Sequence, residues 1–313
     1  MKKDYYKNEK EGVWIMDNNM LQTPQAPEVP VTNSKLASWK IFFKKLKRNK
    51  AAMVGGYFIL FFIIVAIIGP YLTPYDPAQP DYSVKLQGPS ADHWFGTDHH
   101  GRDIFTRVIH GMSITLYIGF FSVALSSIIG VILGLISGYY GGIIDTIIMR
   151  MMDILLAFPG ILLALAIVSV LGGSLNNVII AVAIFSIPTF ARIVRGSTLT
   201  VRKLEYIDAM KALGAKDTKI IFRHILPNIM SPIIVQATLR IATAILTAAG
   251  LSFLGMGAQP PMPEWGAMLS DGRNYMLDHP HVAFFPGISI VIVVLAFNIF
   301  GDGLRDALDP KTK

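Results

Sequence analysis

The stretch Glu205-Tyr-Ile-Asp-Ala-Met-Lys-Ala-Leu-Gly214, followed by Arg223-His-Ile-Leu-Pro227-Asn228, is polar and helix-forming and lies between two long apolar segments. This arrangement predicts two short helices at the surface of a membrane-embedded bundle. The first is expected to end at Gly214, because glycine adopts the left-handed conformation of a helix C-cap most easily. Asp217 is expected to accept hydrogen bonds from the free N–H groups at the start of the second helix, which Pro227 should bound.

One face of the first predicted helix carries only short side chains, so that another protein surface can approach its backbone closely. The small residues are Ala209, Ala212, Gly214 and Ala215. An ordinary surface helix-turn-helix would show the same pattern. The segment by itself therefore leaves both interpretations open.

The composition indicates that lipid surrounds much of the chain. Of the 313 residues, 52% are hydrophobic and 16% are charged, and the mean hydropathy is +0.49; a soluble domain carries roughly 25% charged residues. The formal net charge of +7 raises the question of nucleic acid, but the basic residues follow the membrane rule described below, so no nucleic-acid partner is expected. The absence of cysteine excludes disulfides and thiolate metal sites.

Six segments meet or approach the roughly 20 apolar residues that a membrane-crossing helix needs. They are residues 51–72, 114–139, 155–170, 178–193, 229–256 and 285–300. The third begins beside Arg150 and Asp153, which are three residues apart and are expected to pair on one helix face at a cytoplasmic interfacial turn. The predicted fold class is an all-α integral membrane protein with six transmembrane helices.

The basic residues also predict the orientation. If the N-terminus is cytoplasmic, about 23 of the 28 Lys and Arg residues lie inside, about four outside and about one within a span, as the positive-inside rule requires. The external residues are then Lys85, Arg102, Arg107 and Arg273. We therefore expect both termini, and the segment 205–228, on the cytoplasmic side.

Changes of composition divide the chain into four predicted parts. A basic amphipathic stretch at 39–50 is expected to lie on the membrane surface before the first span. The core of the protein is expected to contain the other five helices. The parts are a disordered cytoplasmic N-terminal region (1–34), the amphipathic segment with the first span and an external loop (35–110), the core transmembrane domain with the cytoplasmic loop 205–228 (111–305), and a cytoplasmic tail (306–313).

Two predicted spans carry internal patterns. In the second, glycines at every fourth position would let a neighbouring helix come close, and ordinary packing is favoured over a substrate role; they are Gly130, Gly134 and Gly138. In the fifth, a polar stripe at near-helical spacing is a candidate translocation pathway; it consists of Gln236, Arg240, Thr243 and Thr247. A charge inside a membrane is costly, so Arg240 is expected to face either a structural partner or a wet pathway.

The segment 205–228 resembles the EAA loop of importer permeases in the ATP-binding-cassette (ABC) superfamily, and other stretches of the chain are similar to the C-type permease of dipeptide and oligopeptide importers. In chain order they read Phe95-Gly-Thr-Asp-His-His-Gly-Arg-Asp103, Gly138-Tyr-Tyr-Gly-Gly142, Arg150-Met-Met-Asp-Ile-Leu-Leu-Ala-Phe-Pro159, Leu251-Ser-Phe-Leu-Gly-Met-Gly-Ala-Gln-Pro-Pro-Met-Pro-Glu-Trp-Gly266 and Gly301-Asp-Gly-Leu-Arg-Asp-Ala-Leu-Asp-Pro310. Together they are spread over most of residues 36–310, in the family's order. Asp208 and Met210 stand where family members usually have Glu and Ala, and both keep a small or flexible docking face.

The resemblance implies a six-helix permease of the type I ABC importer fold in the cytoplasmic membrane of a bacterium. It implies a non-catalytic subunit that forms half of a peptide translocation pathway, with ATP and Mg on partner ATPases and no cofactor on this chain. The implied partners are a homologous second permease, two ABC ATPases, an extracytoplasmic peptide-binding protein and membrane lipid. Nickel chelates and glutathione-like peptides remain alternative cargoes.

By the same resemblance, residues 205–228, here called the coupling segment, transmit motion from the ATPases. The candidate coupling residues are Glu205, Tyr206, Asp208, Ala209, Met210, Ala212, Gly214, His224 and Pro227. The sequence contains no G-x-x-x-x-G-K-[ST] loop, so the chain is not expected to hydrolyse ATP itself. A self-sufficient secondary transporter is the rival interpretation, but it would carry inverted repeats or several intramembrane carboxylates.

The predicted external loop contains charged residues and histidines that invite a metal site. His99 and His100 are adjacent, however, and adjacent side chains point in different directions in regular structure, so no ordered ligand set follows and no metal is expected. The charged residues are instead expected to form salt bridges and turn contacts that set how a delivery protein docks; they are Asp98, Arg102 and Asp103.

Overall fold

A computed structural model describes residues 6–7, 14–15, 46–47 and 49–308 of the chain. Residues 1–41 and 42–313 form two separate compact units. In the first, β1 (Tyr6–Lys7) pairs antiparallel with β2 (Trp14–Ile15), in keeping with the strand preference of aromatic and β-branched residues. The predicted disorder of residues 1–34 stays a prediction, because all of that range except these four residues lies outside the described residues.

The second unit is built from helices. Its α-helices are α1 (Lys50–Ile68), α2 (Ile104–Tyr140), α3 (Gly142–Ala157), α4 (Gly160–Leu171), α5 (Leu175–Arg202), α6 (Glu205–Ala212), α7 (Asp217–Ile220), α8 (Met230–Phe253), α9 (Trp265–Gly272) and α10 (His281–Leu308). A π-helical turn (Ile221–Ile225) and a 3₁₀ turn (Leu226–Ile229) join α7 to α8. Most of the predicted amphipathic stretch 39–50 lies outside the described residues.

By length and composition, five helices of the described chain can cross a membrane, and a sixth crossing exists if α3 and α4 count as one broken span. These two helices meet at an angle of 91°. Phe158 between them is extended, with φ −91° and ψ 139°, because the ring of Pro159 disfavours a helical conformation in the residue before it. The third predicted span, 155–170, therefore runs across a sharp bend and is not one straight helix.

The pairing of α2 with α5 explains the glycines at every fourth position of α2. A Cβ atom on Gly130 would lie 2.5 Å from Cβ of Phe190, and one on Gly134 would lie 2.6 Å from the carbonyl oxygen of Ala191. At Gly138 the same atom would lie 2.7 Å from Cβ of Thr198. The glycines thus let the two helices approach at backbone distance, and the predicted packing role is confirmed.

The main apolar core lies between α2, α5, α8 and α10. At the end of the bundle near the start of α2, the fully buried indole of Trp265 donates from Nε1 to the carbonyl oxygen of Val108, at 2.9 Å. A second, smaller core lies at the other end of α2, beneath the coupling segment. The long α2 therefore extends from one end of the bundle to the other and contributes to both cores.

Candidate functional site

The first helix of the coupling segment, α6, ends as the sequence predicts. Gly214 has φ +75°, and its N–H donates to the carbonyl oxygen of Lys211 at 2.9 Å. The N–H of Ala215 donates to the carbonyl oxygen of Met210 at 3.0 Å. These two bonds form a Schellman motif, which terminates the helix and satisfies its last carbonyls. No atom lies within 4 Å of a Cβ built on Gly214, so glycine is needed there for its backbone conformation and not for lack of space.

One face of α6 is bare and the other is anchored. The bare face carries most of the predicted coupling residues, all of them exposed: Glu205, Tyr206, Asp208, Ala209 and Ala212. Leu213, directly after the helix, is 87% exposed. On the opposite face Ile207 is fully buried in the smaller core. The segment therefore presents a low, partly apolar surface while a single deep side chain holds it to the bundle.

The carboxylate of Asp217 has a different role from the predicted one. Asp217 is the first residue of α7, and no side chain caps that helix. Its Oδ1 instead accepts a hydrogen bond of 2.6 Å from the hydroxyl of Tyr139, at the end of α2. The predicted N-cap is wrong, because a phenol from a neighbouring helix lies within reach of the carboxylate.

Pro227 does not end the second helix of the coupling segment. The chain stays helical from α7 through the π and 3₁₀ turns into α8, so that residues 217–253 form one continuous element. Since proline lacks an N–H, the α-helical pattern cannot pass through this point unchanged. The side-chain amide of Asn228 donates to the carbonyl oxygen of His224 at 2.6 Å and to the hydroxyl of Tyr206 at 3.1 Å. Asn228 lies in the quoted motif, but its linking role was not predicted.

The predicted polar stripe lies along α8, and its members differ in their contacts. Arg240 is half-buried and donates from Nη2 to Oγ1 of Thr189 on α5, at 2.9 Å. Thr243 and Thr247 donate to carbonyl oxygens of their own helix, at 3.4 and 2.9 Å. Of the two roles that the sequence leaves open for Arg240, the structure therefore supplies a structural partner.

A cavity of about 700 Å³ opens beside the first two turns of α8. Gln236 from the polar stripe lines it together with Asn228, and Arg305 from the end of α10 faces them. Apolar residues complete the wall, among them Ile193 and Leu239. The cavity combines an apolar surface with a few hydrogen-bonding groups, as sites for small organic ligands do. Arg305 lies in a quoted motif but was not predicted as a pathway residue.

The loop between α1 and α2, residues 72–103, here called the first loop, contains a buried charged network. Asp98 accepts from Nε of Arg102 at 2.7 Å and from the backbone N–H groups of His100 and Arg102 at 2.8 and 3.0 Å. The guanidinium of Arg107 lies 3.6 Å from the same carboxylate. All three charged side chains are buried. The predicted salt bridge and turn contacts are present, but these side chains shape the loop from within.

Asp103 is a second buried anchor of the first loop. Its Oδ2 accepts from the N–H of Thr106 at 2.7 Å and so caps α2, while its Oδ1 lies 2.9 Å from Nδ1 of His93. His99 stacks on Tyr275, with ring centroids 5.4 Å apart, and burial lowers the pKa of its imidazole. Within the described residues, no three His, Asp or Glu side chains lie close enough to hold a metal ion.

Ion pairs at the coupling end of the bundle were largely missed by sequence reasoning. Arg195 of α5 binds Asp145 of α3 with both nitrogens, at 2.5 and 2.6 Å, and the hydroxyl of Ser137 on α2 donates to the same carboxylate. Asp153 pairs with Arg192 at 2.6 Å, so the predicted partner, Arg150, is corrected. Partners 39 to 50 residues apart in sequence cannot be found from helical spacing, which reveals only neighbours on one helix.

Profile matches cover most of the chain. Residues 130–313 match the family described as binding-protein-dependent transport system inner membrane component. Residues 38–89 match the N-terminal transmembrane domain of oligopeptide transport permease C. These ranges contain the coupling segment, the polar stripe and the start of the first loop.

Two relatives match over nearly their full lengths. The dipeptide transport system permease protein DppC of Alkalihalophilus pseudofirmus is 54% identical over 294 residues, which cover 94% of this chain and 97% of the relative. The glutathione transport system permease protein GsiD of Pectobacterium atrosepticum is 53% identical over 276 residues, covering 88% and 92%. A chain of the inward-facing MetNI methionine ABC transporter superposes with a TM-score of 0.53 at 21% identity, covering 66% of this chain and 98% of that one. The last likeness concerns the fold alone.

Proposed function

The chain belongs to the family of binding-protein-dependent transport system inner membrane components, and from that premise we propose that it forms one half of the translocation pathway of an ATP-driven dipeptide importer. It is a non-catalytic, multi-pass permease subunit of a bacterial inner membrane. The family implies a complex with ATPases and a binding protein. We infer that a homologous permease supplies the other half of the pathway and that two ATPases dock on the coupling segment.

The bare face of α6 is the observation that carries the coupling role. Six of the nine predicted coupling residues are exposed on α6 and its C-cap, while Ile207 anchors the same helix from behind. A surface helix with no partner gains nothing from exposing Leu213 almost completely. An ATPase surface that buries Leu213 and approaches closely over Ala209 and Ala212 accounts for both features. Movement of that surface then biases the permease between two conformations.

The pathway role rests on α8 and its cavity. Gln236 and Arg305 offer an amide and a cation beside an apolar wall, which suits a short peptide with a terminal carboxylate and variable side chains. A second permease that packs over this cavity would complete its wall. We assign the cavity as the part of the pathway nearest the coupling segment.

The orientation of the chain follows from the basic-residue count and can be tested because the sequence has no cysteine. Single cysteines at the exposed positions Lys85 and Arg273 should react with an impermeant thiol reagent added outside. A cysteine at exposed Lys216, or at Lys311, should react only after permeabilisation. Labelling of position 216 from outside would reverse the proposed topology.

Reconstitution tests the transport role directly. Alone in liposomes, this chain is expected neither to hydrolyse ATP nor to accumulate peptide under a proton or sodium gradient. Addition of the partner permease, the ATPases and the loaded binding protein should produce ATP-dependent uptake of a labelled dipeptide. Gradient-driven uptake by the isolated chain would establish the secondary-transporter alternative instead.

Glutathione is the second candidate cargo, because the GsiD relative is 53% identical and the DppC relative 54%. Identities this similar do not separate the two cargoes. Competition in the reconstituted complex distinguishes the two cargoes. An excess of unlabelled dipeptide should abolish the uptake of labelled dipeptide, whereas an excess of glutathione should not. The reverse result would assign the complex to glutathione.

A further inference from the structure

Tyr139, the penultimate residue of α2, occupies a position that the proposed transport cycle does not yet explain. Its side chain is 5% exposed although it lies next to the exposed coupling segment. It belongs to the smaller apolar core with Ile207 of α6 and Ile220 of α7. The tyrosine is thus enclosed by the two helices that the ATPases are proposed to move.

The polar contacts of Tyr139 reach three elements at once. Its hydroxyl donates to Oδ1 of Asp217 on α7, at 2.6 Å, and a carboxylate acceptor makes this a strong hydrogen bond. The ammonium of Lys211 on α6 lies 5.5 Å from the ring centroid, and the guanidinium of Arg202 at the end of α5 lies 6.0 Å from it. Cations at these distances are attracted to the face of the ring.

Within the described part of the chain, the bond from Tyr139 to Asp217 is the one hydrogen bond that joins α2 to the coupling segment. The other contacts between them are the attraction of Lys211 to the ring of Tyr139 and those of the smaller core, which is apolar. Apolar contacts are not directional, so they permit a helix to slide or rotate against its neighbour. A hydrogen bond fixes the distance and direction between two atoms.

α2 is itself joined firmly to α5. The glycines of α2 allow contact at backbone distance at three positions, and the Asp145–Arg195 pair, with Ser137, connects the two helices through α3. By contrast, the coupling segment continues into α8 through the π and 3₁₀ turns around Pro227. Irregular turns of this kind occur where helices bend.

We propose that Tyr139 is a positioning residue of transport, which makes the α2–α5 pair move together with the coupling segment. This inference rests on the proposed function of the coupling segment. The hydroxyl acts through Asp217 and touches neither cargo nor nucleotide. Without this hydroxyl, the coupling segment slides over the smaller apolar core beneath it. ATP is then hydrolysed without a matching movement of α2 and α5.

The first experiment measures ATP hydrolysed per dipeptide imported by the complete importer in liposomes. Tyr139→Phe removes only the hydroxyl and should raise this ratio about tenfold, since a hydrogen bond to a charged group is lost. Tyr140→Phe is the matched control: it alters the neighbouring, half-exposed tyrosine and should leave the ratio unchanged. Asp217→Asn keeps an oxygen acceptor but loses the charge, so its ratio should lie between those of the wild type and Tyr139→Phe, whereas Asp217→Ala should match Tyr139→Phe.

The double variant Tyr139→Phe/Asp217→Ala should be no worse than either single change, because both remove the same interaction. A normal ratio in Tyr139→Phe, with or without a loss of thermal stability, would reduce the residue to a structural role and overturn the proposal. So would a fully additive double variant.

A second readout does not depend on the cargo. Spin labels on cysteines at the exposed positions Thr200 of α5 and Lys219 of α7 report their separation with and without ATP in the complete complex. The wild type should keep one narrow distance in both states, and Tyr139→Phe should broaden it when ATP is added. An equally narrow distance in the variant would contradict the linkage between Tyr139 and Asp217. This measurement needs no import, so it stands even if the complex imports no dipeptide. Failure to import dipeptide would refute the proposed cargo and not the linkage.

Discussion

The first loop and the coupling segment lie at opposite ends of α2, and they are stabilised in opposite ways. At the first loop three buried charged side chains form one network, in which Asp98 lies between Arg102 of the loop and Arg107 of α2. The coupling segment rests on an apolar core and exposes its charged residues, among them Glu205 and Asp208. A partner can thus change the position of the coupling segment without separating buried charges. A rearrangement of the first loop would have to break the buried ion pairs of Asp98.

The difference bears on how the two surfaces meet their partners. Buried ion pairs resist rearrangement, because removing one member leaves an uncompensated charge in a poorly solvated site. The first loop is therefore suited to form a rigid docking surface for a binding protein. The coupling segment rests on an apolar core and is held by one directional hydrogen bond, from Tyr139 to Asp217. It is therefore suited to transmit movement from an ATPase to the helices.

The largest expected effect is at the end of α6. Gly214→Pro places a residue restricted to φ near −65° where the chain has φ +75°, so α6 loses its C-cap and its bare face is misdirected. ATP-dependent peptide uptake should fall to background, while the amount of protein in the membrane stays normal. Asp208→Lys, which reverses the charge on the bare face, should have the same effect.

The matched control for Gly214 is Gly88→Pro in the first loop. No atom lies within 4 Å of a Cβ on Gly88, and its φ is not in the left-handed region, so uptake should be much less affected. Gly214→Ala should fall between these limits, because a left-handed conformation costs a non-glycine residue about 1–2 kcal/mol. Normal uptake by a stably inserted Gly214→Pro protein would remove the coupling role.

The second prediction concerns the buried ion pairs of the first loop. Asp98→Ala leaves Arg102 and Arg107 without their nearest carboxylate and should destabilise the protein by about 3–5 kcal/mol. The measurement is thermal unfolding in detergent together with the membrane level. Asp92→Ala, at an exposed acid in the same loop, is the control and should unfold like the wild type. A small effect of Asp98→Ala would mean that the first loop is no more rigidly built than the coupling segment.

Sequence reasoning succeeded where local patterns decide the structure. Apolar length predicted the membrane-crossing helices, and glycine spacing predicted the close contact between α2 and α5. The C-cap at Gly214 follows from the conformational freedom of a single residue. In each of these cases the physical cause lies within a few residues of its effect.

Its errors concern partners that are distant in sequence. Asp217 was expected to cap its own helix, but it binds Tyr139, which is 78 residues away. Pro227 was expected to end a helix that instead continues into α8 through irregular turns. Sequence alone also could not show that Asp98 of the first loop is buried; the docking role of that loop stays a prediction. Such contacts arise from tertiary packing, which overrides local preference.

The smallest expected effect comes from a buried carboxyl group that, unlike Asp98 with its partner Arg102, forms no ion pair within the described residues. Glu264 is fully buried and caps α9, its Oε2 accepting from the N–H of Ala267 at 2.9 Å. Burial raises the pKa of Glu264 above its ordinary value of 4.5, so the folded protein holds this proton to a higher pH than the unfolded chain does. The contribution of the group to stability therefore falls as pH rises from about 4.5 to the folded pKa.

Glu264→Gln keeps an oxygen acceptor for Ala267 and never ionises. Its melting temperature should rise relative to the wild type by about 2–4 °C for each pH unit within that window, as expected for a shift of one pKa unit in a chain of this size. Thermal unfolding across the acidic and neutral range measures the difference, with Glu205→Gln on the exposed face of α6 as control. If the difference between Glu264→Gln and the wild type stays constant with pH, Glu264 is ionised in the folded protein. Burial of charge at this end of the bundle would then extend beyond the paired carboxylates of the first loop.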